Sequence, residues 1–578
     1  MKFFNQHHKY VLRFFCSITI LCILSFHKVQ AQSNSFIDFL YASHPWVDSV
    51  FQSLTPREKV AQLFMVRAHT NLGQRYIDSV AQVVAKEQLG GLVLFQGGPV
   101  RHAQMIQHYQ KLAKVPLMVA FDGEWGLGMR MPDSALSYPY QMTLGAIQNE
   151  ALIYQMGREI AKDFKYMGMH VNFAPVVDVN NNPRNPVINF RSFGEDKDNV
   201  TRKGLAYMRG MMDEGVLVSL KHFPGHGDTD VDSHYDLPLL PYTAGRLDSL
   251  EMYPFKNLIR EGASGVMVAH MQIPSLDATP RLPSSLSKPI VTGILKEQFG
   301  FKGLIFTDAM DMQGVVKHFR NGEADVRAII AGNDLVELSQ NSERAVRMVL
   351  QAIAQGRLTQ EEVDQRVKKV LAAKYWLLRQ NHTALQETEL IRQLNRSSSR
   401  LLIQRLAEAS VTLLGEEAQV REMDHQKRTA IVAVGVSEIT EFQKDIASRY
   451  EKHLHYLLAA DASADEVVAV LYELSGYEQV IVALHDSRSR PRSELPYNTA
   501  VKLFVSELAS RPSVFCLFGN PYALAGFPGI EKAGAILVAY QNDAFMQKAA
   551  AKVFTRKLRP SGKLPVSVNA YFKVGDGQ

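Results

Sequence analysis

The sequence is poor in cysteine. Three occur in 578 residues, and two of them, Cys16 and Cys22, fall within the first 31. Cys516 alone remains, so an internal disulfide scaffold is excluded. Long apolar runs are also missing. Past residue 31 no stretch approaches the roughly 20 residues a membrane span needs. No internal repeat or low-complexity tract occurs, which excludes collagen-like and Pro-rich linker architectures. An excess of one charge is lacking too. The formal charge is +6, but Lys2, Lys9, Arg13 and Lys28 sit in an acid-free first segment. The rest of the chain is close to neutral and carries no electrostatic footprint for nucleic acid. What is present is ordinary for a folded protein: 46% hydrophobic and 21% charged residues, which excludes a mainly disordered chain. The length suits two or three domains.

The first segment has a pattern of its own. Lys2 to Arg13 is basic, Phe14 to Phe26 is apolar, and Val29-Gln30-Ala31 ends in a small residue. This predicts a secretory signal over residues 1–31 and an exported protein, periplasmic or extracellular. Cys16 and Cys22 lack the small-residue context of a lipoprotein box, so no lipid anchor is expected, and no stable membrane span once the signal is removed.

Short apolar runs then alternate with amphipathic ones. Gln62–Val66, Gly91–Phe95, Leu117–Phe121, His170–Val177, Leu217–Lys221, Gly265–His270, Leu304–Thr307 and Leu335–Leu338 make eight strand candidates. Most run apolar without strict alternation, as strands buried on both faces do. Helical patterns such as Ala151–Met167 and Ala324–Ala331 separate them. Eight β-then-α units predict a (β/α)8 TIM-like barrel over residues 32–382. Thr359–Gln380 reads as a charged helix and residues 383–409 as a linker helix. Five further runs, Thr429–Val434, Leu454–Leu458, Val480–Leu484, Ser513–Phe518 and Ala535–Ala539, predict a smaller α/β sandwich domain over 410–578. A last short strand is expected at Leu564–Val568. The fold class is therefore α/β.

Polar residues crowd the ends of the barrel strands, where such barrels carry their chemistry. The densest group follows the fifth strand. Between Lys221 and Asp236 lie His222, His226, Asp228, Asp230, Asp232 and His234, with Gly225 and Gly227 as turn formers. A solvated loop does not need so many titratable groups. Two chemistries suit them. His222, His226 and Asp228 could hold a metal ion. Alternatively Asp232 and His234, two apart, face one way in an extended segment. A carboxylate there fixes the tautomer of the imidazole and favours its protonated form, preparing it for proton transfer. Spacing alone does not choose between them. Asp308 closes the seventh strand as a candidate nucleophile or ligand. Asp122 closes the third, where a carboxylate accepts hydrogen bonds from hydroxyl groups. Arg191 follows the fourth, between Phe190 and Phe193.

The run from Lys221 to Pro238 resembles the signature of family 3 glycoside hydrolases, in their β-N-acetylglucosaminidase branch. Asp122, Arg191-Ser192-Phe193-Gly194 and Thr307-Asp308 stand in the order that resemblance requires. Gly519-Asn520-Pro521-Tyr522 and Ser561–Val566 resemble the family's second domain, so the similarity spans roughly Val47 to Val568. It implies an exo-acting, retaining β-N-acetylglucosaminidase on cell-wall muropeptides or related glycans. In that reading Asp308 is the nucleophile and Asp232–His234 the acid/base dyad, in place of the usual pair of carboxylates. Asp122, Arg191, Lys221 and His222 hold the sugar. No metal and no cofactor are implied, and the partner is a carbohydrate. Another family activity, as β-glucosidase, β-xylosidase or phosphorylase, is the alternative, with a metal-dependent hydrolase behind it. One departure stands out: Trp125-Gly126-Leu127 replaces a glycine pair and arginine, and Arg130 follows a little later. The second domain is expected to supply no acid/base, with Asp486 and Asp543 exposed.

Overall fold

The computed structural model describes residues 35–380 and 385–578. The predicted signal at 1–31 and the domain limit at 382/383 lie outside the described residues. Nine strand segments build the first unit: β1 (Phe64–Ala68), β2 (Gly91–Leu94), β3 (Met118–Phe121), β4 (Val171–Asn172), β5 (Leu217–Val218), β6 (Leu220–Phe223), β7 (Gly265–Val268), β8 (Leu304–Thr307) and β9 (Val336–Glu337). Only Ser219 separates β5 from β6, so these are two halves of one bent strand and the ring has eight members. The order β5-β4-β3-β2-β1-β9 continues through β6-β7-β8. A parallel bridge between Phe306 and Leu335 joins β8 to the β9 stretch. Every strand pair in the ring is parallel. All eight strand candidates are thus present, with ends shifted by a few residues.

The two faces of each strand do different work. Leu92, Leu94, Val119, Phe121, Val266, Val268 and Ile305 pack outward into the core shared with the surrounding helices. Met65, Val93, Ala120, Phe173, Met267 and Phe306 belong to a second apolar core. Phe173 meets Phe306 edge-on at 5.3 Å. Two residues further along these strands stand Arg67, Asp122, Asp308 and, from Leu335, Glu337. A polar layer thus rests on an apolar plug at the C-terminal mouth.

Local signals explain the helices. In Glu150–Met167, Asn149 caps the start by accepting from the Ala151 amide at 3.1 Å, an arrangement worth about 1 kcal/mol. Gly168, at φ +75°, ends the helix, and Ile153, Met156, Ile160 and Phe164 form its buried face. The segment expected to be one linker helix is two, Glu387–Leu394 and Ser397–Ser410. It is packed rather than free: Leu390, Leu394 and Leu402 join the barrel-side core, and Arg396 bonds Glu159 and Asp163, both at 2.9 Å.

The second unit has one six-stranded sheet: β10 (Thr412–Gly415), β11 (Thr429–Val434), β12 (His453–Leu458), β13 (Gln479–His485), β14 (Ser513–Phe518) and β15 (Ala535–Val538). Its order is β10-β15-β14-β13-β11-β12, parallel except for the edge pair β10–β15. Helices cover both faces, giving the expected α/β sandwich. Two expectations are corrected. β10 opens the second domain ahead of the first run expected there, Thr429–Val434, and Leu564–Val568 forms no strand. That stretch instead lies along the barrel: the Glu195 amide donates to Pro565 O at 3.0 Å, and the Glu195 carboxylate accepts from the Ser567 hydroxyl at 2.6 Å. Gly194 permits this approach, because a Cβ there would sit 2.2 Å from Pro565 O. Cys516 is buried in β14. Among the described residues no helix is long and apolar enough to cross a membrane.

Candidate active site

The strand ends bring Asp122, Arg191, Lys221 and His222 together, as expected. Lys221 Nζ lies 2.8 Å from Asp122 Oδ1 and 2.9 Å from Glu124 Oε1. Arg191 grips Glu124 with two nitrogens, at 2.7 and 3.0 Å. Arg130 closes the other side of Asp122 at 2.5 Å. Arg130 thus reaches back from beyond Trp125-Gly126-Leu127 and supplies a cation at this wall. Burial by itself would raise the pKa of Asp122, but Lys221 and Arg130 hold it well below the usual carboxylate range. Burial likewise opposes ionisation of Glu124, yet Arg191 and Lys221 bring its pKa down to about 2. The wall is therefore fully ionised and paired.

Next to it, His222 Nδ1 bonds Asp178 Oδ2 at 2.8 Å, which turns the other ring nitrogen toward Arg191. Asp178 also accepts the amides of His222 and, at 2.7 Å, His226. Gly227 sits so tightly against the next loop that a Cβ would lie 1.9 Å from Val179 O. His226 is pushed down to about 4 by burial, so it is neutral at physiological pH. Its nitrogens face Thr229 Oγ1 at 2.8 Å and Ser233 Oγ at 3.3 Å. Asp228 bonds Arg246 at 2.6 Å. His222, His226 and Asp228 are thus each turned to a different protein partner. Among the described residues no group of three or more His, Cys, Asp or Glu side chains is placed to hold a metal ion.

Asp308 lies directly beyond β8. Its amide donates to Val268 O at 2.9 Å, and its Oδ1 accepts from the Ala309 amide at 2.8 Å. His270 steadies this turn, with Nε2 3.0 Å from Ala309 O and Nδ1 2.7 Å from Ser285 Oγ. Burial works against the Asp308 carboxylate, but the facing His270 and His222 rings and the Ala309 N–H lower its pKa overall, with His234 adding to the same field. An ionised oxygen thus points into the mouth of the barrel.

Asp232 and His234 form the expected pair, with Oδ1 to Nδ1 at 2.7 Å. The same oxygen accepts the His234 amide at 2.9 Å. Unlike the wall, this pair is open to solvent, with the His234 side chain 61% exposed. Its loop is tied down at Ser233, whose carbonyl accepts from Gly314 N–H at 3.3 Å, and at Asp230, which accepts from Asn182 at 2.8 Å.

A floor of paired carboxylates, a strand-end acid and a nearby imidazole–carboxylate pair suit cleavage of a bond in a hydroxyl-rich substrate. Residues 55–373 match the family model described as glycosyl hydrolase family 3 N terminal domain. The chain belongs to glycosyl hydrolase family 3. It is 28% identical over 552 residues to beta-hexosaminidase A of Pseudoalteromonas piscicida, covering 85% of this chain and 91% of that one. It is 31% identical over 335 residues to beta-hexosaminidase LpqI of Mycobacterium tuberculosis, covering 56% and 83%. The structure of a family 3 beta-N-acetylglucosaminidase from Paenibacillus sp. str. FPU-7 superposes with a TM-score of 0.75 at 28% identity, covering 89% of this chain and 99% of that one. The protein is a glycoside hydrolase.

Glu124, Arg130, Asp178 and His270 complete the site beyond the residues that sequence reasoning singles out. Glu124 and Asp178 stand at strand ends like the acids it does single out, so the same signal could find them. His270 ends the strand candidate Gly265–His270 and carries the same signal, whereas the pairing of Arg130 with Asp122 comes from folded geometry alone. The second-domain acids are also corrected. Asp486 is buried and held by Arg488 at 2.7 Å. Asp543 is half-buried and caps the helix Ala544–Phe554.

Proposed function

We propose that this hydrolase is an exo-acting, retaining β-N-acetylglucosaminidase. The observation that carries the reading is the Asp232–His234 pair at 2.7 Å, set on a loop whose imidazole contributes to the field at Asp308. Asp308 attacks the anomeric carbon as the glycosidic C–O bond breaks. His234 delivers the proton from Nε2 to the departing oxygen while Nδ1–H stays on Asp232. Water then attacks the same carbon, His234 takes its proton, and the Asp308 ester is released. An imidazole suits this place because a second carboxylic acid close to ionised Asp308 would meet like-charge repulsion. Asp122 and the Lys221–Glu124–Arg191 network orient the sugar hydroxyls. The relatives' activities on hexosaminides support the choice of sugar. Muropeptides or related amino-sugar glycans are the proposed substrates, and export by the segment 1–31 would place the enzyme beside them.

The test is a panel of aryl β-N-acetylglucosaminide, β-glucoside and β-xyloside, each assayed with and without phosphate. Fast turnover of the first alone, independent of phosphate, is the expected result. A preference for glucoside or xyloside overturns the substrate choice. Phosphate-dependent release with formation of a sugar 1-phosphate makes the enzyme a phosphorylase.

A further inference from the structure

One buried acid in the barrel mouth has no part in the steps above. Glu337 ends β9. Its amide donates to Thr307 Oγ1 at 3.0 Å, and its carbonyl accepts the Met310 amide at 2.9 Å. The main chain is thus fastened on both sides of Asp308. Leu335 bridges to Phe306, so Glu337, two residues on, points to the same barrel interior, one layer nearer the mouth. Glu337 is 3% exposed. Its Oε1 is fully buried and has no hydrogen-bond partner among the described residues.

The described charges around it leave no cation to spare. Asp122 faces it from β3, Asp308 from beyond β8 and Lys221 from β6. Lys221 is already shared between Asp122 and Glu124, and Arg130 is taken by Asp122. On β1 its cross-strand neighbour is the apolar Met65, and Arg67 is paired with Asp311 at 3.0 Å. An ionised carboxylate here would be buried, unpaired and repelled by two others. Burial first, then Asp122 and Asp308, push the pKa of Glu337 well up against the weaker pull of Lys221. The ionised acids of the wall can only accept hydrogen bonds, whereas a neutral carboxyl group can donate one.

We infer that Glu337 is a specificity-determining residue that holds the substrate as a neutral acid, donating its carboxyl O–H to a sugar hydroxyl beside Asp308. The inference rests on the glycosidase reading only in taking a hydroxyl-bearing sugar as the occupant. The experiment compares the wild type with Glu337→Gln and Glu337→Leu. The steady-state kcat/KM is read on whichever aryl glycoside the enzyme prefers, from about pH 5 to 9, and Tm over the same range without substrate. Leu cannot donate and should lose ~10- to 100-fold in kcat/KM. Gln keeps a donor and should recover most of that loss. The Tm series reads protonation alone. Folding retains a proton on Glu337 that the unfolded chain releases above ~pH 4.3, so wild-type stability falls as pH rises. The Tm of Glu337→Gln should therefore gain on the wild type as pH rises. A Tm difference that is flat with pH overturns the neutral acid. Wild-type kcat/KM in Leu, or a loss in Gln as large as that in Leu, overturns the contact with substrate. Because the stability series contains no sugar, it reads the protonation of Glu337 even if the proposed substrate choice fails.

Discussion

The wall around Asp122 and the loop carrying His234 serve one site, yet they are built in opposite ways. In the wall, Glu124 is 0% exposed and joins Arg191 to Lys221, which also holds Asp122, with contacts of 2.7 to 2.9 Å. On the loop, His234 is 61% exposed and leans on Asp232. Sugar hydroxyls do not change charge during the reaction, so the groups that hold them can be fixed in advance and kept dry. A proton donor must pass its proton to an oxygen that comes and goes, and must exchange it with water. On the proposed mechanism, stability concentrates in the wall and leaving-group chemistry in the loop. That division can be tested by mutation.

The largest effect belongs to the point where the two regions meet. Asp308→Ala should lower kcat by at least about 10⁴-fold, as loss of a nucleophile does. A slow 2-fluoro glycoside should leave a covalent adduct on the wild-type peptide containing Asp308, found by mass spectrometry. An adduct on another residue, with the Ala variant still active, would remove Asp308 from the centre of the site.

His234→Gly comes next and should separate substrates rather than slow all of them. With a sugar leaving group the loss should be ~10²- to 10⁴-fold, the usual worth of a needed general acid. With a nitrophenyl leaving group the first step should be nearly spared, deglycosylation should limit turnover, and added azide should restore part of it. Asp232→Ala should give a milder version of the same pattern. Equal losses for every leaving group would assign His234 to binding. His226 is not its substitute, because both of its nitrogens face protein hydroxyls and burial keeps it neutral.

For the wall the expected loss is in folding. Glu124→Ala leaves Arg191 buried without its carboxylate and should cost about 3 to 5 kcal/mol in urea unfolding. His234→Gly should stay within about 0.5 kcal/mol of the wild type. Equal destabilisation by both changes would erase the contrast.

A smaller effect concerns acid stability. The folded pKa of Glu124 is depressed to about 2, against ~4.3 for an unfolded glutamate. Its contribution is fully present above the unfolded value and drains away as pH falls toward the folded one. Between roughly pH 4.5 and 2.5, Tm should therefore fall more steeply for the wild type than for Glu124→Gln. Parallel curves would mean that Glu124 is not the ionised partner described.

Much of this is legible in the residues. The eight barrel runs stand out because a strand buried on both faces must be apolar along its length. β10 does not, because four residues at a sheet edge, Thr412–Gly415, carry too little pattern to stand out as a strand. Leu564–Val568 misleads for the opposite reason. Leu564 and Val566 are apolar because they are buried in the second unit's core, not because they pair in a sheet. Asp122, Arg191, Lys221, His222, Asp232, His234 and Asp308 are all visible at strand ends or in one dense loop. Asp486 reads as exposed because neither its burial nor its partner Arg488 is evident from composition.

The class of fold, the eight barrel strands and the residue types at the mouth follow from sequence, because periodicity and strand-end position are local properties. Charge and partnership come from the folded chain. Arg130 meets Asp122 across a loop, Asp178 takes His222 from a neighbouring strand, and Glu337 is left without a cation of its own between Asp122 and Asp308. Protonation depends on distance and desolvation, and both are set by residues far apart in the chain.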